Sequence, residues 1–256
     1  MQRNVVLQAL ARLAASLIAV LMLAAAPASA ADRAQINFIG FDQDAKYFAF
    51  EQYGIHDGSG AAFSEIYIVD IGADKWVYGV PYSVDAIDDA DPEAKTLAQV
   101  RSEAMAKAQS KLKELEIGWP TQILALNGDG AHGNMRSLSF WTPNCCGPNT
   151  TEGTKFTVTV KTTPMKTVSD DCHGIVGDDS MIVGFMLEFT TPDGTIVAHK
   201  DGDTLPKSRG CTLDYSLYAV VDASEIGGPR IAIVESWPFG FEGPDRRFIA
   251  VPLESI

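Results

Sequence analysis

The sequence predicts a mainly β (α+β) fold. The expected form is a single-domain β-sandwich-like structure or a curved antiparallel sheet, carrying one long amphipathic helix. Three observations predict it. About a dozen short runs rich in β-branched and aromatic residues are separated by Gly and Asp clusters, the spacing of an antiparallel sandwich. One long segment, and no other, has helical periodicity. No Pro- or Ser-rich linker and no internal repeat divides the chain.

In order, Gln35–Phe41 and Lys46–Tyr53 read as strands around the polar turn Asp42-Gln43-Asp44-Ala45. Gly54–Gly60 is a loop of turn formers. Ser64–Ile71 alternates Ile66 and Ile68 on one face with Tyr67, Val69 and Ile71 on the other. Trp76–Val80 extends the sheet. Asp88, Asp89 and Asp91 before Pro92 predict a helix N-terminus there, and Gly118-Trp119-Pro120 ends it near Ile117. Its apolar face is read as Ala94, Leu97, Ala98, Ala104, Met105, Ala108, Leu112 and Leu115. Further strands are expected at Ile123–Leu126, Ser137–Trp141, Lys155–Thr162, Ile182–Thr190, Thr195–His199, Thr212–Asp222, Arg230–Glu235 and Phe248–Val251. Pro192-Asp193-Gly194 joins two of them as a hairpin.

Residues 1–30 read as a signal peptide. Arg3 and Arg12 supply the positive region, Leu13–Ala26 the apolar run and Ala28-Ser29-Ala30 the cleavage site. The run is short of the roughly 20 residues a membrane span needs. No later segment is apolar for long enough to span a bilayer. The expected mature chain, 31–256, is one periplasmic or secreted domain. Export makes disulfides the expected state of Cys145, Cys146, Cys172 and Cys211. A bond between the neighbours Cys145 and Cys146 needs a strained ring. Each is therefore expected to reach a distant partner, one Cys172 and the other Cys211, in either order. A metal site of these thiolates with His173 is the rival, although the spacing matches no zinc module.

The formal net charge is −13 on 256 residues, with 33 acidic and 20 basic side chains. Such a chain does not neutralise a run of phosphates or dock on an anionic bilayer, which excludes nucleic acid as a partner. An envelope protein or a small ligand remains. With 46 % hydrophobic residues the chain has the composition of a globular protein.

Two blocks carry a resemblance. Phe38-Ile39-Gly40-Phe41-Asp42, Tyr47–Gly54, Asp57–Gly60 and Ser64-Glu65-Ile66 form the first, and Gly240–Pro252 the second. Together they resemble a family of bacterial predicted secreted proteins with a domain of unknown function. The resemblance implies export and no established activity. Tyr47-Phe48-Ala49-Phe50 and Ile66-Tyr67-Ile68-Val69-Asp70 also resemble one blade of the Tol-system periplasmic β-propeller. The pattern occurs once, whereas a propeller repeats it.

Catalytic chemistry finds little support. Gly58-Ser59-Gly60, beside His56 and Asp57, lacks the spacing of a nucleophile elbow. Glu51, Glu65, Glu188, Glu235, Glu242 and Asp245 lie on or beside strands. A converging pair of them would suit acid–base work on a glycan, with Glu51 and Glu65 flanking one loop. The acid-rich turns Asp42–Asp44, Asp57, Asp88–Asp91, Asp178–Asp179 and Asp201–Asp203 read as ordinary turn chemistry. Calcium is the one cofactor they admit, on ligand type alone. His56, His132, His173 and His199 are scattered singly, with no metal-site spacing. Glu242, Asp245, Arg246 and Arg247 form the most specific cluster, beside Trp237, Phe239 and Phe241. Its structural reading is an ion-pair staple from the last strand to the first, Arg to Glu51 or Glu65. Its functional reading is an anion or peptide pocket with an arginine fork and aromatic walls. The expected function is a non-enzymatic exported protein that binds or supports an envelope component through exposed aromatic and arginine loops. The alternative is an envelope hydrolase using Glu51, Glu65, Glu242 or Asp245.

Overall fold

A computed structural model describes residues 31–128, 135–142, 153–165, 172, 182–223, 228–240 and 243–254. Residues 1–30, read from sequence as a signal segment, lie outside the described residues, as do Cys145, Cys146, His132, His173, Asp178, Asp179, Phe241 and Glu242.

Thirteen strands form three antiparallel sheets among these residues. The first sheet contains β1 (Gln35–Phe41), β2 (Tyr47–Ile55), β3 (Ala62–Asp70) and the short β4 (Lys75–Trp76), in that order. Its fifth strand, β5 (Tyr82–Asp85), pairs with the other end of β3. β6 (Thr121–Leu126) joins the second sheet, of order β13-β12-β11-β6. Its other members are β11 (Thr212–Ala223), β12 (Ile231–Pro238) and β13 (Arg247–Pro252). The third sheet is a meander of β7 (Ser137–Thr142), β8 (Thr154–Pro164), β9 (Val183–Thr191) and β10 (Gly194–Lys200).

The buried side chains stack these sheets in layers. Phe48, Phe50, Phe63, Tyr67 and Val69 of the first sheet pack on Ala219, Val221, Ile231, Ile233 and Phe248 of the second. The opposite face of the second sheet, with Tyr215, Leu217, Ala232 and Val234, packs on Phe156, Val158, Leu187 and Phe189 of the third. Helix α1 (Leu97–Glu114) covers the outer face of the first sheet through Val100, Ala104, Ala108 and Leu112. The second sheet is thus central, and Ile231–Trp237 of β12 are all buried. Alternation gives way there to a continuous apolar run because both faces are covered.

The strands match the expected runs closely, with two differences. β5 follows the Val80-Pro81 turn and lacks a hydrophobic run of its own, and β4 is two residues rather than five. The helix begins later than expected. Thr96, not the Asp88–Pro92 cluster, caps it, through a reciprocal capping box with Gln99. Consequently Ala94 and Ala98 are exposed and the missed Val100 is buried. The blade-like stretch Tyr47–Asp70 belongs to a five-stranded sheet stacked on a second sheet, so the Tol-propeller resemblance is not supported. Gly40 sits at a β-bulge with φ 136°, where any side chain would run into the Trp119 carbonyl. Cys172 is bonded to Cys211, which overturns the expected pairing of each with Cys145 or Cys146. It also removes both sulfurs from the rival metal site. Cys172 is buried with Ile182 beside Leu213, and these apolar neighbours bring the two sulfurs together. No helix among the described residues is long and apolar enough to cross a membrane.

Two predictions follow from the layering. Ile233→Ala opens a cavity in the middle layer and lowers stability by about 3 kcal/mol, whereas the half-exposed Ile196→Ala changes it by less than ~0.5 kcal/mol. Urea denaturation with matched slopes measures both, and equal effects would refute the central placement of β12. Glu51 is 2 % exposed and accepts both guanidinium bonds of Arg101, at 2.9 and 2.7 Å. Arg101→Met strands that buried carboxylate and costs about 3 kcal/mol. Adding Glu51→Gln recovers more than half of the loss, because no charge is then left unpaired.

Candidate functional site

Each sheet ends in an edge strand on one common side of the stack: β4 of the first, β13 of the second and β10 of the third. A cleft of about 300 Å³ lies where these edges meet. Its walls come from Lys75 and Trp76 on β4, His199 on β10, Ile249–Val251 on β13 and Ser208–Arg209 in the turn before β11. A smaller cavity of about 210 Å³ shares Asp74 and continues along β10 and the end of β13. Another cavity, of about 470 Å³, is lined by Gly184, Phe185 and Asp201.

Local sequence places each charged group. The register of β10 shifts between Val197 and His199, and such a bulge re-aims the side chain that follows it. His199 and Asp201 then stand two residues apart at the strand end and meet at 3.1 Å. Asp74 occupies the β3–β4 turn at φ 48°, a left-handed position that Asp tolerates. Arg209 closes a 3₁₀ turn, and its carbonyl accepts from the Thr212 hydroxyl, one residue past the bonded Cys211.

These residues form one ion-pair cluster. His199 Nδ1 lies 3.2 Å from Asp74 Oδ2 and Nε2 3.1 Å from Asp201 Oδ1. Arg209 Nη2 donates to the same Asp201 oxygen at 3.3 Å, and the Phe185 amide donates to Oδ2 at 2.7 Å. The Phe185 ring stacks on His199 at 4.7 Å. A neutral imidazole has one N–H, so two carboxylate partners require the imidazolium. Burial opposes that charge, but Asp201 and Asp74 outweigh it and push the His199 pKa up to about 9. Burial also pushes the Asp201 carboxyl up, and His199, Arg209 and the Phe185 amide overcome it to hold the carboxyl below its usual range.

A second cluster closes the start of the described chain. His56 Nδ1 lies 2.5 Å from Asp32 Oδ2, and Nε2 lies 3.0 Å from Asp85 Oδ2. Asp32 also accepts from the Asp57 amide at 2.8 Å and from Arg247 Nη2 at 3.3 Å. Burial disfavours the His56 cation, but Asp32 and Asp85 together raise its pKa.

The sequence-predicted residues separate. Glu51 pairs opposite Ile66 and Gln52 opposite Glu65, so Glu51 and Glu65 point to opposite faces of the first sheet. Glu51 is held by Arg101 and Ser64 under the helix, and Glu65 accepts from Gln52 and Tyr67. Neither meets Asp245, whose carboxylate accepts the Asp32 amide and is pushed up by burial. Arg246 is buried, donates to the Ala34 carbonyl and lies 3.5 Å from Glu235. Arg246 and Arg247 therefore join the start of β13 to the segment before β1 through the Ala34 carbonyl and Asp32, Arg246 also pairs with Glu235 of β12, and neither uses Glu51 or Glu65. The expected exposed arginine–aromatic loop is not formed by Arg246 or Trp237, both of which are buried. Ser59 accepts the Ala61 amide, and Asp42 accepts the Tyr47 amide, which is turn chemistry in both cases. Among the described residues no group of three or more His, Cys, Asp or Glu is arranged to hold a metal ion.

The reading from sequence missed the His199 cluster because its contacting pair Asp74 and His199 is 125 residues apart in sequence. The available signal was His199-Lys200-Asp201, an i,i+2 pair that shares one side of a strand end.

The raised His199 pKa fixes a pH dependence. The unfolded imidazole titrates near 6.5 and the folded one near 9, so the cluster's contribution is complete below pH 6.5 and is lost as pH rises to 9. Guanidinium midpoints should therefore fall between these pH values in the wild type, and fall less in His199→Asn. Parallel slopes for the two proteins would refute the contribution of the His199 ion pairs.

Residues 49–254 match the model of the family described as predicted secreted protein (DUF2259). No curated protein and no solved structure matches the chain. The match runs from within β2 through the end of β13 and takes in the cleft, the His199 cluster and both bonded cysteines. The chain belongs to this family of predicted secreted proteins of unknown function.

Proposed function

We propose that the protein is an exported, non-enzymatic binding protein of the cell envelope, with the three-edge cleft around His199 as its ligand site. Residues 1–30 act as the export signal, and the chain from Ala31 folds as one domain. The observation that carries the reading is the make-up of the cleft. An apolar floor of Val69, Ile249 and Val251 and a Trp76 wall face a fixed set of charged groups. Small-molecule sites have this mixture, an apolar lining with a few positioned polar groups. Acid–base catalysis asks for something different, a pair of carboxylates free to exchange protons with a substrate. In the cleft Asp74 faces His199, and both oxygens of Asp201 behind it are taken by His199, Arg209 and the Phe185 amide.

Ligand-detected NMR with a small fragment set tests this on protein recovered from the exported fraction, whose mass should begin at Ala31. Fragments bind the wild type, bind Trp76→Ala at least about tenfold more weakly, and labelled envelope glycan is not turned over. Turnover that disappears in Asp245→Asn would overturn the reading in favour of a hydrolase.

A further inference from the structure

We infer that the cleft selects a small organic monoanion with an aromatic or branched apolar body. This inference rests on the binding reading above and names the ligand class. Three observations converge on it.

The first is charge. In a chain with 33 acidic and 20 basic residues, the cleft lining holds Lys75, His199 and Arg209 against one acid, Asp74. Asp201 stands behind His199 and Arg209 and neutralises part of this set. The local balance is still positive by one charge, counting both carboxylates. A single anionic group completes it.

The second is unspent donor capacity. Leu253 donates to the Arg230 carbonyl, and the β12–β13 register runs without a shift. In an antiparallel ladder the alternate residues Arg247, Ile249 and Val251 then bond β12. Arg246, Phe248 and Ala250 turn their N–H groups to the outer edge. The Arg246 amide donates to the Asp32 carbonyl and the Phe248 amide to Gln52 Oε1. The third, Ala250, lines the cleft and is 5 % exposed. β13 is the last strand of its sheet, so no neighbouring strand accepts from Ala250 among the described residues. Buried backbone N–H groups are almost always paired, by water or ligand where protein is missing. An anion in the cleft supplies an acceptor oxygen where this N–H turns outward.

The third is the apolar surface. Trp76 is 39 % exposed, its cross-strand partner Val69 lies beside it, and Ile249 of the second sheet also lines the cleft. A volume of about 300 Å³ is at the small end of ligand sites, which fits a compact body of two or three rings and not a polymer.

The test uses a matched pair of probes, 8-anilinonaphthalene-1-sulfonate and its neutral parent N-phenyl-1-naphthylamine, which differ by the sulfonate alone. Fluorescence titrations are run on the wild type, Lys75→Glu, Lys75→Gln and Trp76→Ala, with near-ultraviolet circular dichroism confirming that each is folded. Lys75 is exposed on a two-residue edge strand, so its replacement leaves the core untouched. The sulfonate binds the wild type, about tenfold more weakly to Lys75→Glu, with Lys75→Gln between, and the neutral probe binds weakly and indifferently to Lys75. Equal binding of both probes, each weakened by Trp76→Ala, overturns the anion class and leaves the binding reading intact. Binding of neither probe, or binding that ignores Trp76, overturns both.

Discussion

The structure depends on the coverage of one sheet from both sides. β12 carries Ile231, Ala232, Ile233 and Val234 in succession, all fully buried. Successive strand residues point to opposite faces, so this run demands an apolar partner above and below. The first sheet meets one demand with Phe48, Phe50 and Phe63, and the third meets the other with Phe156, Leu187 and Phe189. The order of the layers follows from that requirement. So does the treatment of the polar groups trapped within it. Glu235 is 1 % exposed, and it accepts from Ser216, which in turn accepts from the Trp237 indole. Arg246 stands beside it as counter-ion. An unpaired carboxylate at that depth would cost several kcal/mol.

Charge is therefore placed where the layers end. Helix α1 is fastened to the first sheet by Arg101 and Glu51, with Arg101 also lying 3.7 Å above the Tyr53 ring. The segment before β1 is fastened by Asp32 to His56 of the first sheet and Arg247 of the second. The first and third sheets, which both pack on the second, are linked at their edges by Asp74 and His199. In each case one partner is largely buried and the other reaches to it from the helix, a terminal segment or a turn. The pairing fixes the register between layers that apolar packing alone would let slide, because contacts between aliphatic side chains are non-directional.

Much of the fold was legible because hydrophobic period is a local signal. Ile66 and Ile68 do face the helix, and Tyr67 and Val69 do face the second sheet, as alternation along β3 required. The hairpin at Pro192-Asp193-Gly194 pairs Thr191 with Gly194. The helix start was misread because two capping signals competed. Proline after acids is a common opening, but Thr96 and Gln99 satisfy two backbone donors reciprocally. The cysteine pairing and the arginine partners were not legible, since both are set by which layers meet. Glu51 and Glu65 illustrate the limit. Loop proximity suggested a pair, yet an odd difference in register sends them to opposite faces. Asp74, His199 and Arg209 come from a turn, an edge and a 3₁₀ turn, and no local pattern announces their meeting.

The two histidine clusters differ in a way that makes one corner the proposed ligand site and the other a fastening. Each holds an imidazolium between two carboxylates. Around His56 the donors and acceptors close on themselves. Asp32 Oδ1 takes the Asp57 amide, its Oδ2 takes His56 and Arg247, and the Asp32 amide is taken by Asp245. The outward N–H groups of β13 nearest this cluster, at Arg246 and Phe248, are capped by protein as well. Around His199 the same ladder leaves Ala250 uncapped, and Lys75 stands in the lining. Both corners obey the same demand for paired charge. Of the two, the second leaves a positive excess beside an apolar cavity, which is the ground for proposing a ligand that brings its own negative charge.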